Sequence, residues 1–168
     1  MIYTTEYKYK NYHYIIGEYE NKICLFDAFN GKKRVKNESH IQKKLGCSQI
    51  PKETPLLKEA KIQLKEYLDG KRKEFNLPLL LLGSDFQNKV WNQLLQIPYG
   101  QTISYKQLAT NCGNEKAYRA VANANGANKI ALLIPCHRVI ASDGGLGGYS
   151  GGLELKKSLL QLEGIAFD

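Results

Sequence analysis

The chain changes character at Gly83-Ser84, and this change limits its possible folds more than any other feature. Before it, residues Tyr12 to Phe29 bring aromatic and aliphatic side chains together around the polar pair Glu20-Asn21. That pattern predicts a β-hairpin, and the Lys-rich segments on either side predict loops. We therefore expect one domain over residues 1–83 and a second over residues 84–168.

A helix and a strand are predicted in the rest of the first half. Thr54-Pro55 has the residue types of an N-cap and a first-turn proline, and apolar residues then keep helical spacing until Gly70. The apolar run Leu77 to Leu82 is too short for a helix, so it predicts a buried strand that closes the first domain.

Two capping patterns open the second half. Ser84 and Ser104 are each followed three residues later by glutamine, which predicts a helix start at each serine. The first of these helices is expected to bury one apolar face, made of Phe86, Val90, Leu94 and Ile97. The second ends near Cys112-Gly113, and another helix follows from about Asn114 to Asn125. This outline is that of a helix-turn-helix, which occurs both in DNA-binding proteins and as a general packing unit.

Composition narrows the function classes. The net charge of +8 favours a polyanionic partner such as nucleic acid, although many basic proteins bind none. No apolar run approaches the roughly 18 residues needed to span a bilayer, and the first ten residues lack the apolar stretch of a signal peptide. We therefore expect a cytoplasmic protein with no membrane contact. The four cysteines contain no CxxC pair, so reduced thiols are expected.

One cysteine has neighbours suited to chemistry. An apolar run that predicts a strand, Ile130 to Ile134, ends at Pro135, and Cys136, His137 and Arg138 follow directly. A histidine that removes the thiol proton makes a thiolate nucleophile available at neutral pH. Because neighbouring residues of a strand point to opposite sides, we expect a water molecule to connect His137 with the Cys136 sulfur. The other three cysteines, Cys24, Cys47 and Cys112, are expected to be ordinary packed side chains.

A partner for His137 is predicted at the end of the last helix. Leu155, Leu159 and Leu162 have helical spacing, and Glu163 precedes the stop residue Gly164. A carboxylate in a final helical turn opposes the helix dipole, which costs roughly 0.3–1 kcal/mol, so we expect a compensating partner such as His137. The alternative is a solvated surface glutamate.

The second half resembles the O6-alkylguanine-DNA alkyltransferases, also called methylated-DNA–protein-cysteine methyltransferases. The resemblance covers residues 84–168 and is carried by six motifs in order, namely SYKQLA, RAV, an Asn before the predicted strand, IPCHRVI, YSGG and LLxxEG. It implies that Cys136 accepts the alkyl group, that His137 deprotonates it through water, and that Glu163 holds the His137 tautomer.

The resemblance also assigns residues that handle DNA. Tyr105 would donate a proton toward the departing guanine, and Asn128 would fix the turn that carries the cysteine. Arg119 would enter the duplex when the damaged nucleotide rotates out, and Tyr149-Ser150 would contact the extruded base. A face of small side chains would approach the minor groove, and it comprises Ala117, Ala120, Ala122 and Ala124. Two positions depart from the family pattern, because Ala122 replaces a usual Gly and Lys129 a usual Pro.

By the same resemblance, the first domain would be a small α/β domain of ribonuclease H-like topology, and the second would be mainly α-helical and winged-helix-like. The protein would act as a monomer on double-stranded DNA that contains O6-alkylguanine. Some relatives bind zinc in the first domain, but the scattered residues His13, Cys24, His40 and Cys47 have no ligand spacing. We predict no metal and no cofactor.

Alternative functions follow from the same residues. A DNA-binding regulator or a sensor of alkylated DNA would use the helix-turn-helix without chemistry. A Cys-His hydrolase would use Cys136, His137 and Glu163 as a catalytic triad for repeated acyl transfer. Alkyltransferase-like sensors lack the acceptor cysteine, whereas Cys136 is present here. A thioether product has no easy leaving group, so alkyl transfer predicts a single turnover.

Overall fold

The computed structural model describes residues 1–167, which form two compact units divided between Leu82 and Gly83. The first unit is α/β, and the second is mainly helical. Among the described residues, no helix has the length and apolar character needed to cross a membrane, and no three His, Cys, Asp or Glu side chains are grouped as metal ligands.

A four-stranded sheet with the order β3-β2-β1-β4 forms the first unit. Its strands are β1 (Ile2–Tyr9), β2 (Tyr12–Tyr19), β3 (Lys22–Ala28) and β4 (Gln49–Pro51). The predicted hairpin is confirmed as the antiparallel pair β2 and β3, and both turn residues, Glu20 and Asn21, have positive φ. Two such residues make the tight turn whose twist matches that of the strands.

Helices cover both faces of this sheet. In α1 (Arg34–Leu45), Ile41 belongs to the same buried cluster as Ile15 and Leu25. In α2 (Pro55–Leu68), Tyr67 contacts the Phe75 ring, which in turn contacts Phe26 of β3. The Thr54 side chain accepts a hydrogen bond from the Leu57 N–H, so the predicted N-cap of α2 is confirmed.

The Lys-rich segments around the hairpin are not loops, and that prediction is wrong. The first contains β1, in which Ile2 and Thr4 are buried, while Glu6 and Lys8, further along the strand, are exposed. The second contains α1, which has little apolar surface. Its buried polar side chains have partners instead, since Asn37 donates to Asp27 and Arg34 pairs with Glu38.

The predicted strand Leu77 to Leu82 is also wrong. This segment makes one parallel bridge, between Leu79 and Ile23. Pro78 has no backbone N–H to donate, although its carbonyl accepts from Ile23. The segment therefore follows β3 for a single bridge and does not extend the sheet.

Over its described residues, 83–167, the second unit contains four α-helices and a short parallel ladder. The helices are α3 (Asp85–Leu94), α4 (Tyr105–Asn111), α5 (Tyr118–Gly126) and α6 (Leu153–Leu162), and the ladder pairs β5 (Ile103–Ser104) with β6 (Val139–Ile140). The predicted helix starts are confirmed, because Ser84 and Ser104 accept hydrogen bonds from the N–H groups of Gln87 and Gln107.

The buried face of α3 differs from the prediction at its first position. Val90 and Leu94 are buried, and Ile97 is buried just beyond the helix, but the Phe86 ring is 40% exposed. Trp91 takes part in this face instead, and its indole N–H donates to the Ala124 carbonyl at the end of α5 at 2.8 Å. A turn of 3-10 helix, Glu115–Ala117, joins α4 to α5.

Candidate active site

A tight turn, not a strand, leads into the Cys136 segment. Leu132 has φ +73°, and the Ile134 N–H donates to the Ile130 carbonyl at 3.0 Å, so the predicted strand Ile130 to Ile134 is wrong. Beyond Pro135, residues Cys136–Arg138 form one turn of 3-10 helix that leads into β6. The Cys136 side chain is held below the surface, with the residue 4% exposed.

Asn128 connects the two ends of this turn. Its Nδ2 donates to the Ile134 carbonyl at 2.8 Å, and its Oδ1 accepts from the Ile130 N–H at 2.9 Å. The Cys136 N–H donates to the same Ile134 carbonyl at 2.7 Å. The Asn128 amide and the Cys136 backbone are thus tied to one carbonyl oxygen.

Glu163, the C-cap of α6, lies against both residues that follow the cysteine. Its Oε2 is 2.7 Å from His137 Nε2, and its Oε1 accepts from Arg138 Nε at 2.8 Å. Arg138 Nη2 is a second donor to Oε2, and the Gly100 N–H is a second donor to Oε1. Arg138 therefore offsets the unfavourable position of the carboxylate at a helix C-terminus.

The surroundings of His137 leave one ring nitrogen able to accept a proton. The side chain has no solvent exposure, and this burial holds the pKa of His137 below its usual value although Glu163 opposes the shift. The imidazole is therefore neutral at pH 7. Because a carboxylate only accepts hydrogen bonds, it fixes the proton on Nε2. The Nδ1 atom, which has no hydrogen-bond partner among the described residues, is left with its lone pair.

Tyr105 reaches the site because it begins α4 directly after β5, which pairs with β6. Burial raises the pKa of Tyr105, and the neighbouring Cys136 raises it further, so the phenol keeps its proton at neutral pH. A Cβ at Gly147 would lie 3.0 Å from the Tyr105 ring and 3.1 Å from its hydroxyl oxygen. The glycine-rich loop therefore lies directly against the phenol.

Lys156 is fully buried and holds this loop. Its Nζ donates to the carbonyls of Val139, Leu146 and Gly148 at 2.7, 2.5 and 3.1 Å. Burial lowers the pKa of Lys156 to about 8, and the neighbouring Cys136 acts in the opposite direction. The Lys156 ammonium thus fixes the segment from β6 into the following loop to α6 through hydrogen bonds to three backbone carbonyls.

The predicted DNA-contacting residues are more exposed than Cys136, His137 and Glu163. Arg119 is exposed in the first turn of α5, with its guanidinium 5.9 Å from the Tyr118 ring. Tyr149 and Ser150 are half-buried in the loop that precedes α6, and the Tyr149 carbonyl accepts from the Gly152 N–H at 3.0 Å. On α5 itself, Ala120 is exposed, whereas Ala124 is buried and cannot belong to a DNA-facing surface.

Two polar residues of the site were missed from the sequence. The sequence places Arg138 beside the thiol as a cation but does not connect it with Glu163, and the apolar pattern of the last helix does not single out Lys156. Lys156 lies on the buried face of α6 with Leu159 and Leu160, and the C-cap Glu163 is also buried. Of the predicted apolar positions, Leu159 is buried, whereas Leu155 and Leu162 are half-buried. The signal available in the sequence was the spacing of seven residues between Lys156 and Glu163, which places both on one side of a helix.

Comparisons with known proteins show which family this chain is similar to. The family model described as 6-O-methylguanine DNA methyltransferase, DNA binding domain, matches residues 85–165. A Methanosarcina barkeri protein named methylated-DNA–protein-cysteine methyltransferase is 46% identical over 145 residues, which are 86% of this chain and 85% of that protein.

Solved structures extend the similarity to nearly the whole chain. The crystal structure of a Mycobacterium tuberculosis O6-methylguanine methyltransferase has a TM-score of 0.81 at 34% identity and covers 97% of this chain and 93% of its own. A structure of Mycobacterium tuberculosis OGT in complex with DNA has a TM-score of 0.79 at 34% identity, with coverages of 96% and 91%. The chain belongs to the methylated-DNA–protein-cysteine methyltransferase family.

Proposed function

We propose that this protein repairs double-stranded DNA by moving the alkyl group of O6-alkylguanine onto Cys136 in a single, irreversible turnover. The observation that carries the proposal is the neutral, buried His137 beside Cys136, oriented by Glu163 at 2.7 Å. Membership of a family whose relatives bear the name methylated-DNA–protein-cysteine methyltransferase supports it.

The reaction follows from the protonation states of these groups. His137 Nδ1 takes the thiol proton through one water molecule, and the Cys136 sulfur then attacks the alkyl carbon. A carbon–sulfur bond forms, the bond between that carbon and guanine O6 breaks, and its electron pair stays on the purine. Tyr105 donates a proton to the departing guanine, and the proton held by His137 returns to the tyrosinate through solvent.

Each supporting residue has one task in this scheme. Glu163 keeps the Nε2 proton on the imidazole so that Nδ1 remains a base, and Asn128 holds the turn before Cys136. Tyr105 can act as an acid because its raised pKa leaves it protonated at neutral pH. Since a thioether is a poor leaving group, water does not regenerate the thiol and each molecule acts once.

DNA would be bound through the pair α4 and α5. Guanine O6 lies within the stacked duplex, so the damaged nucleotide must rotate out, which costs a few kcal/mol. Arg119, exposed at the start of α5, would enter the stack behind it, and Tyr149-Ser150 would contact the extruded base. The small side chains of Ala117, Ala120 and Ala122 permit close approach to the minor groove.

The proposal also includes the topology of each unit and the compartment in which the protein acts. The antiparallel strands β1 to β3, followed by α1 and the parallel β4, are consistent with a ribonuclease H-like first unit, and the pair α4 and α5 beside the β5–β6 ladder with a winged-helix-like second unit. We place the protein in the cytoplasm as a monomer without membrane contact or cofactor. A reduced nucleophilic thiol suits that compartment.

Intact-protein mass spectrometry tests the function. The protein is incubated with a duplex that carries one O6-methylguanine, and Cys136→Ala and Cys112→Ala serve as paired variants, because both thiols are buried. The parent and Cys112→Ala should each gain one methyl group, mapped to Cys136 by fragmentation, and Cys136→Ala should gain none. Lesion binding without any gain would show a damage sensor instead, and repeated turnover would contradict the mechanism.

A further inference from the structure

A second lysine of the helical unit is buried where a charge is costly. Lys129 follows Asn128 and is 6% exposed, and its Nζ lies 5.3 Å from the centroid of the Trp91 ring. Lysines are almost never this buried unless the ammonium is paired. A cation within about 6 Å of an indole centroid is attracted by the ring quadrupole, and the attraction is strongest away from water.

The Trp91 ring is itself fixed on a second side. The residue is 1% exposed in α3, and its indole N–H donates to the Ala124 carbonyl in the last turns of α5. One ring therefore contacts both the helix that carries Arg119 and the segment that carries Lys129.

Lys129 is joined to the nucleophile by a short run of contacts. The adjacent Asn128 side chain donates to the Ile134 carbonyl at 2.8 Å, and the Cys136 N–H donates to the same carbonyl at 2.7 Å. A shift of Lys129 would therefore pass through Asn128 to the backbone of Cys136. Because the Leu132 φ of +73° is unfavourable for a residue with a side chain, this turn needs support from its surroundings.

We propose that Lys129 is a positioning residue for alkyl transfer, in which the ammonium stacked on the Trp91 ring holds the Asn128 turn and so aligns the Cys136 sulfur. Lys129 is buried, whereas Arg119 and Ala120 on α5 are exposed. Loss of Lys129 should therefore slow the chemical step without weakening DNA binding. A displacement of about 1 Å at a nucleophile can cost on the order of a hundredfold in rate, so a partial loosening of the turn is enough to measure.

The test uses the full-length protein and a duplex with one O6-methylguanine. Lys129→Met keeps the length of the side chain and removes the charge, Lys129→Arg keeps the charge, and Lys89→Met removes an exposed charge from α3 as the matched control. Single-turnover rates are measured at saturating protein across a range of pH. Lesion affinity is measured separately with each substitution in a Cys136→Ser background.

We expect Lys129→Met to lower the plateau rate about tenfold, with the dissociation constant and the apparent pKa of the rate profile unchanged. Lys129→Arg should recover most of the rate, and Lys89→Met should match the parent. A parent rate in Lys129→Met, an equal loss in Lys129→Arg, or a loss explained by weaker DNA binding would each overturn the assignment.

Trp91→Phe gives an independent check that does not require Lys129→Met to fold. A phenyl ring has a weaker quadrupole and lacks the N–H that reaches Ala124, so Trp91→Phe should also slow transfer. In the Trp91→Phe background, Lys129→Met should add little further loss, whereas a full, multiplying loss from Lys129→Met in that background would overturn the proposal. The inference rests on the proposed function. If the parent transfers no methyl group, the proposed function itself is contradicted. If the parent and Lys129→Met transfer the methyl group at the same rate, only this inference is contradicted.

Discussion

His137 and Glu163 are 26 positions apart in the chain, yet His137 Nε2 lies 2.7 Å from Glu163 Oε2 and neither side chain is exposed to solvent. The same carboxylate accepts two hydrogen bonds from Arg138. One buried anion therefore balances a fixed guanidinium and orients a neutral imidazole. Because Arg138 and His137 both contact this carboxylate, its loss should affect both the stability of the second unit and the protonation of His137.

Glu163→Gln should cost both stability and activity. Removing one partner of a buried ion pair leaves Arg138 unpaired, which typically lowers the free energy of unfolding by about 3–5 kcal/mol. Urea denaturation measures this loss. Glu154→Gln, at an exposed position of the same helix, should change stability by less than about 0.5 kcal/mol. Equal effects of the two substitutions would show that Glu163 is not part of a structural pair.

Alkyl transfer should be constant around neutral pH and fall only in acid, at a lower pH than an ordinary histidine would give. Burial places the pKa of His137 below its usual 6.5, so the imidazole is still a base at pH 7. The unfolded chain binds this proton more readily than the folded protein, so the free energy of unfolding should also rise with pH across the window below 6.5. Single-turnover rates measured against pH check the first expectation, and a decline that already begins above pH 7 would contradict it.

Gly147→Ala should disturb the loop against Tyr105, whereas Gly148→Ala should not. Gly147 has φ +71°, and an added Cβ would lie 3.0 Å from the Tyr105 ring, while a Cβ at Gly148 meets nothing within 4 Å. The left-handed conformation alone costs about 1–2 kcal/mol for a residue with a side chain. Thermal unfolding and transfer rates of the two variants make the comparison, and an equally active, equally stable Gly147→Ala would show that the loop tolerates a side chain there.

Arg119→Ala should slow repair of a duplex by about tenfold or more while leaving transfer from a single strand nearly unchanged. The reason is that only a stacked duplex must be opened before the damaged base can leave it. Lys116→Ala removes a neighbouring exposed charge and should affect both substrates to a similar degree through salt-dependent attraction. Parallel single-turnover assays on the two substrates measure the ratio, and an equal loss on both would assign Arg119 to general phosphate binding.

Local patterns predicted those elements whose cause is local. The caps at Thr54, Ser84 and Ser104 formed as expected, because an N-cap hydrogen bond spans only three residues. The Glu20-Asn21 turn also formed as expected, because a two-residue turn depends mainly on the backbone conformation of its own residues. By contrast, α1 is stabilised by contacts with distant polar groups, such as Asn37 with Asp27, and no periodic apolar pattern marks it.

The sequence by itself determined the family, the nucleophile Cys136 and its neighbour His137, since these lie in one continuous motif. Only the tertiary structure decided that α6 turns Lys156 and Glu163 inward, that Arg138 shares the Glu163 carboxylate, and that Trp91 receives Lys129. The physical reason is that a buried charge is tolerated only beside a partner. Those partners come from other helices and strands, and their meeting depends on how the chain packs rather than on any short stretch of it.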